Sequence, residues 1–335
     1  MPVRLIGRIH VSVWMAVIAF VVITIGLRDE IGGDWQGLLW PSDYLIGKGF
    51  HVALAVEGPS YGLLNWVSVN AGLGIYGVNL VCAALFVTGL AIFCRSQPIP
   101  WLTWLIATPY LLIVVGMGYT RQSVALGLLL WALVFLEEKK IWRFVLLILI
   151  GATFHKSVLL MSPLVVLGLG RSWWIRAGGV TVLAVLGWLL MSDYLLQLWN
   201  DYFWRYVGER PLYSSRGAFY RIWMNAVPAT ILLLAWRPWK RRFGDPGFWN
   251  WLAIAAIGSV VLVGIASTAV DRINLYIAPI QLYVWSRFPL LFGDLVTRTI
   301  MVSGVIVAYF VALWFWLYYA ENAYNWVPYK NVLLG

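Results

Sequence analysis

Apolar residues run along this chain in solid blocks. The blocks lie near 9–27, 75–94, 99–117, 121–136, 141–154, 157–169, 177–196, 217–236, 248–268, 273–290 and 299–320. Most are long enough to cross a bilayer as a helix, which takes roughly 20 apolar residues. Strands of a membrane barrel would instead alternate every second residue over about ten positions. The pattern therefore predicts an all-α, polytopic integral membrane protein of about eleven transmembrane helices, one transmembrane domain over residues 1–335. Polar turns punctuate the blocks, most clearly Glu137-Glu138-Lys139-Lys140. Two longer polar stretches stand out: a first loop over 28–74, and a second over 197–216. The first holds an amphipathic piece near Tyr61 to Asn70. In the second, Leu195, Leu196, Trp199, Tyr202, Phe203 and Tyr206 recur at three and four spacing opposite Asn200, Asp201 and Arg205, as in a helix lying at the interface.

Composition agrees with this picture. Of 335 residues, 62% are hydrophobic and 11% charged, where soluble chains carry roughly a quarter charged. The 22 Trp suit aromatic belts at the two water interfaces. The amino terminus, basic and then apolar, has no small-x-small cleavage site and reads as an uncleaved first helix. Cys82 and Cys94 fall on one predicted helix, roughly 18 Å apart at 1.5 Å per residue, too far for a disulfide.

Charge then orients the chain. With the amino terminus in the cytoplasm, the inner side holds Arg4, Arg8, Arg95, Lys139, Lys140, Arg143, Arg171, Arg176, Arg237, Lys240, Arg241, Arg242, Arg287 and Arg298, against Glu137, Glu138, Asp245 and Asp294. The remaining basic and acidic residues balance, so the whole net charge of +10 lies inside, as the positive-inside rule requires. The basic balance reports topology and no nucleic-acid partner. Both long loops fall outside, and the chemistry is expected on the outer face.

Helices running inward from that face start near Arg121, His155-Lys156, Arg216 to Arg221, and Asp271-Arg272. Positive dipole ends combined with Arg and Lys make a cradle for an anion such as a diphosphate; snorkelling anchors are the alternative. Ile141 to Phe154 spans about 21 Å, less than the roughly 30 Å hydrocarbon core. Val158 to Leu169 is shorter and contains Pro163. Such a hairpin places His155 and Lys156 below the outer surface, beside protein or a water-filled cavity. His155 can accept a proton near neutral pH. Asp34 and Glu57 lie in the first outer loop, beside Gly32-Gly33 and Gly58-Pro59. A carboxylate there serves as a base toward a sugar hydroxyl, or holds a loop arginine such as Arg28. No aspartate-x-aspartate pair, grouped His/Cys ligands, phosphate-binding glycine loop or G-x-S-x-G elbow occurs. A metal-free reaction without cofactor is what remains.

In their order and placement, these residues resemble the EpsG-like branch of Wzy-type polysaccharide polymerases. The resemblance runs from Arg28 to Tyr329. It is carried by Gly33-Asp34, Glu57-Gly58-Pro59-Ser60-Tyr61-Gly62-Leu63-Leu64-Asn65, Arg121-Gln122-Ser123-Val124-Ala125, Phe154-His155-Lys156-Ser157, Asp271-Arg272 with Tyr276, and Trp326-Val327-Pro328-Tyr329. It departs where a Tyr often follows the Gly-Asp, since Leu38 stands there and Tyr44 comes later. The resemblance implies a GT-C-like membrane fold in the bacterial inner membrane. It also implies a glycosyltransferase that joins undecaprenyl-diphosphate-linked oligosaccharide repeat units at the periplasmic face, with a chain-length regulator and a flippase as partners. Arg121 and Arg272, assisted by Arg216 and Lys156, would bind the diphosphate. His155 or Glu57, with Asp34 as a further carboxylate, would handle the acceptor proton. Trp199, Tyr202 and Trp204 would stack on sugars, or else anchor the loop in the membrane. A flippase for lipid-linked sugar, a ligase using the same donor and a membrane acyltransferase are the rival functions.

Overall fold

The computed structural model describes residues 11–168, 217–264 and 267–334, with positions 181 and 185. Trp199, Tyr202, Trp204 and Arg216 lie outside them, as do most of the 177–196 run and the second outer loop. The described chain is helical, and it falls into two compact units. The first comprises residues 1–134, 146–155 and 285–335; the second comprises 135–145 and 156–284. The division passes between His155 and Lys156.

In the first unit, α1 (Val11–Gly26) leads into a loop and three short helices, α2 (Trp35–Tyr44), α3 (Phe50–Ala55) and α4 (Pro59–Asn70). The last covers the stretch from Tyr61 to Asn70. Then come α5 (Gly74–Ser96), α6 (Pro100–Gly118) and α7 (Thr120–Glu137). These three and α15 (Leu295–Tyr319) are the helices, among the described residues, long and apolar enough to cross a membrane singly. Only 11% of the most apolar window of α15 is buried inside the protein. Such a surface, apolar all round, belongs against lipid.

Close helix crossings depend on missing side chains. A Cβ on Gly89 of α5 would come 2.0 Å from the Gly127 carbonyl oxygen of α7, and one on Gly127 would come 2.6 Å from Phe86 Cα. A Cβ on Gly26 of α1 would meet Leu80 Cα at 2.8 Å. Apolar solvent gives helices little reason to associate, so backbone approach through small residues replaces the hydrophobic drive. Trp14 adds an aromatic seam between α1 and α6, stacked on Trp101 at 4.4 Å and edge-on to Trp104 at 5.5 Å.

The carboxyl-terminal segment folds back on the loop after α1. Asn325 accepts at its carbonyl from Gly32 N at 2.9 Å, Lys330 from Asp29 N at 3.1 Å, and Leu27 from Val332 N at 3.0 Å. Trp326 donates from its ring to the Ile113 carbonyl at 3.0 Å, within a π-helical stretch of α6 (Thr108–Val115). Residues 325–332 thus strap the loop that follows α1.

In the second unit, α10 (Ala218–Leu234) packs on α12 (Phe248–Leu262) and α13 (Ser267–Ile277). Between α10 and α12, α11 (Trp236–Phe243) is bent by 79° from α10 and carries Lys240, Arg241 and Arg242; together the two are long and apolar enough for one broken crossing or a re-entrant loop. The expected run over 273–290 is also interrupted: Pro279 starts a new helix, α14 (Pro279–Trp285), because it has no N–H to continue the previous one. The short α8 (Ile141–Phe154), which passes from the second unit into the first, has the 14 residues expected, and Lys156–Met161 continues as a 3₁₀ turn before Pro163 and α9 (Leu164–Gly168).

Candidate active site

The first unit assembles three of the predicted site residues. Asp34 stands at the position before α2 without capping it, Glu57 sits between α3 and α4, and Arg121 lies in the first turn of α7. Glu57 and Arg121 form an ion pair whose side chains remain 31% and 38% exposed. That exposure limits the pair to roughly 0–1 kcal/mol of stability, but it leaves both charges within reach of a ligand. Beneath, the Arg121 guanidinium lies 5.6 Å from the ring centroid of Tyr61, which is buried. The ring face holds the cation in place.

Glu57 reaches this position through an unusual backbone. Its φ is +58°, and Gly58 follows at +98°. The left-handed conformation costs a residue with a Cβ about 1–2 kcal/mol, and such strain gathers where a site needs it. Gly58 is glycine for a second reason: a Cβ would lie 3.0 Å from the Thr153 carbonyl oxygen. Nearby, Ser60 Oγ and Thr153 Oγ1 are 2.7 Å apart. Thr153 spends its own proton on the Ile150 carbonyl, so Ser60 donates. The Glu57 turn is thus fastened to the end of α8, where His155 is the next residue but one after Thr153. His155 N continues the helix with a bond to the Gly151 carbonyl at 2.9 Å.

Asp34 is largely buried. Burial pushes its carboxyl up to about 6, against the pull of the Arg28 guanidinium and the Thr120 N–H. The Thr120 N–H reaches Asp34 Oδ2 at 3.1 Å. Arg28 itself is fully buried, and burial lowers its pKa. It donates to the Ile31 and Ile25 carbonyls at 3.1 and 2.8 Å and to Thr120 Oγ1 at 2.7 Å. The expected Asp34–Arg28 association is therefore present as an electrostatic one, with Thr120 as the shared hydrogen-bond partner. Because the folded-state pKa of Asp34 lies above its ordinary 3.8, its contribution to stability is full below about pH 4 and is lost as pH rises through about 6. In thermal melts, Asp34→Asn should gain on the native protein between pH 4 and 7. A gap constant across that window would contradict the burial of this carboxyl.

Lys156 and Arg272 belong to the second unit, and both are exposed. There Ser157 Oγ donates to Tyr276 OH at 2.9 Å, tying the turn after Lys156 to α13, which carries Arg272. Asp271 is taken by Arg221, which grips it with Nε at 2.7 Å and Nη2 at 2.5 Å. The positive helix starts expected here thus include one neutralised pair, Arg221 with Asp271. No sequence spacing announced that pair, because its members stand on different helices.

Residues 11–331 match the EpsG family. The chain belongs to the EpsG family. At family level this means a membrane protein with a polysaccharide polymerase-type role, a glycosyltransferase. Neither the curated proteins nor the solved structures hold a match to the chain. In the first unit, three of the segments that carry the sequence resemblance meet: the Gly33-Asp34 turn, the Glu57-to-Asn65 segment and the Arg121 turn. Trp326 of the carboxyl-terminal element packs behind them, its ring filling the place where a Cβ on Gly118 would lie, 2.4 Å from Cζ2.

Proposed function

We propose that this chain is a polysaccharide polymerase that joins undecaprenyl-diphosphate-linked repeat units at the outer face of the bacterial inner membrane. The observation that carries the reading is the Glu57–Arg121 pair, a carboxylate and a guanidinium held together yet partly open. An incoming lipid diphosphate competes for Arg121, which can grip it with two parallel N–H bonds. Glu57, released from its partner, then stands as a base. A hydroxyl of the acceptor unit attacks the anomeric carbon of the donor chain. The bond from that carbon to the diphosphate oxygen breaks, the lipid diphosphate leaves with the electron pair, and Glu57 takes the hydroxyl proton. Arg272, Arg216 and Lys156 assist with the diphosphate. Cations rather than a metal ion meet the charge developing on the leaving group. His155 is the second candidate for the proton, and Trp199, Tyr202 and Trp204 offer faces for sugars. This reading keeps the eleven-span topology with a cytoplasmic amino terminus, which puts the first-loop site outside.

The test is incubation of the purified protein with a synthetic lipid-linked repeat unit. The expected product is a ladder of polymer, reduced about a hundredfold or more in Glu57→Gln. An undiminished ladder from that variant would move the proton to His155. Single transfers to a different acceptor would make the protein a ligase, and movement of the unit across the membrane without new bonds would make it a transporter.

A further inference from the structure

Thr120, immediately before Arg121, is 98% shielded and uses every polar group it has. Its N–H donates to Asp34 Oδ2, its hydroxyl oxygen accepts from Arg28 Nη2, and its carbonyl accepts from Ser123 Oγ at 2.8 Å. Arg28 in turn is fixed by the Ile25 carbonyl at the end of α1 and by the Ile31 carbonyl of the turn that follows it. That turn is itself strapped by the segment 325–332. A buried guanidinium is a poor way to gain stability, since well-packed apolar side chains often do as well or better. What it supplies here is a fixed geometry at the residue next to the proposed diphosphate ligand.

We propose that Thr120, held from two sides by Arg28 and Asp34, is the positioning residue that aims Arg121 at Glu57 and at the diphosphate. The inference rests on the reading of Arg121 as the diphosphate ligand. In this proposal Thr120, Arg28 and Asp34 act through the first turn of α7 and not by contact with substrate. Asp34 accordingly serves as an orienting group and not as the base. Displacement of a binding group by about 1 Å is enough to cost about a hundredfold in rate.

The distinguishing variants are Thr120→Val, which keeps the shape and removes the hydroxyl, and Thr120→Ser, which keeps the hydroxyl. Turnover and KM for the lipid-linked unit are measured on both, alone and combined with Arg121→Ala. Hydrogen exchange is followed at the amides of residues 119–123. Turnover should fall about tenfold or more in Thr120→Val, with KM changing far less, while Thr120→Ser stays near the native rate. In the Arg121→Ala background Thr120→Val should add almost nothing, because residues acting through one group are not additive. Exchange at 119–123 should quicken in Thr120→Val alone. Native turnover in Thr120→Val overturns the proposal, and so does a full loss that persists without Arg121, which would mark general destabilisation. If the native protein builds no polymer, the polymerase reading fails. The exchange data then decide the positioning claim by themselves: unchanged exchange in Thr120→Val sinks it, and faster exchange confined to 119–123 supports it.

Discussion

Arg121→Lys should abolish polymer in cells while leaving the protein in the membrane at its normal level, if Arg121 binds the diphosphate as proposed. Lysine keeps the positive charge, so the ion pair with Glu57 survives in a weaker form. What it loses is the planar fork that can hold two oxygens of a diphosphate at once, together with the flat face that lies over Tyr61. Loss of one donor aimed at a developing negative charge typically costs about a hundredfold to a thousandfold in rate. The stability term is small, because the pair is about one-third exposed and worth roughly 0–1 kcal/mol. Polymer should therefore vanish without a matching loss of protein, read as polymer length and yield at equal expression. Normal chain lengths from Arg121→Lys at equal expression would remove Arg121 from the site.

Gly32→Ala should have the second large effect, acting through the fold. Gly32 has φ +106°, and a Cβ there would lie 2.0 Å from the Met117 carbonyl oxygen. Neither atom belongs to a flexible side chain, so the turn or the end of α6 must shift. Left-handed strain of about 1–2 kcal/mol adds to an overpacking cost of about 1–3 kcal/mol. Gly47 provides the control. It also has positive φ, +70°, yet nothing lies within 4 Å of its Cβ position, so Gly47→Ala pays the strain alone. Membrane-inserted protein, measured as melting temperature in detergent and as level in the membrane, should fall sharply for Gly32→Ala and mildly for Gly47→Ala. Equal losses for the two would show that the Met117 contact is not the cause. Because Gly32 precedes Asp34 by two residues, protein that survives Gly32→Ala should also show weakened polymer formation.

The site and its surroundings divide plainly between what was legible and what was not. Arg121 stood out in the sequence because an ionisable group at the end of a long apolar run is costly and so needs a reason, and Asp34 and Glu57 stood out as carboxylates of the first loop beside glycine turns. Their meeting could not be read there. It depends on a left-handed turn at Glu57-Gly58, on α5 and α7 crossing at two glycines, and on a carboxyl-terminal strap about 300 residues away in sequence from the loop that it holds, as in the bond from Lys330 to Glu30. Arg221 and Asp271, fifty residues apart, illustrate the same limit. A bidentate pair across two helices leaves no mark in local spacing. Thr120 was missed for a different reason. A lone hydroxyl residue at a helix start reads as ordinary capping chemistry, and nothing nearby in the chain reveals that a guanidinium is buried against it.

The helical class, the membrane setting and the family were legible in the sequence alone, because long apolar runs are properties of the chain's solubility in lipid and water. Which charges face one another was decided only by tertiary structure. Buried electrostatics depend on distances of a few ångströms between helices, and those distances are fixed by side chains that are absent, at Gly32, Gly89, Gly118 and Gly127, as much as by those that are present.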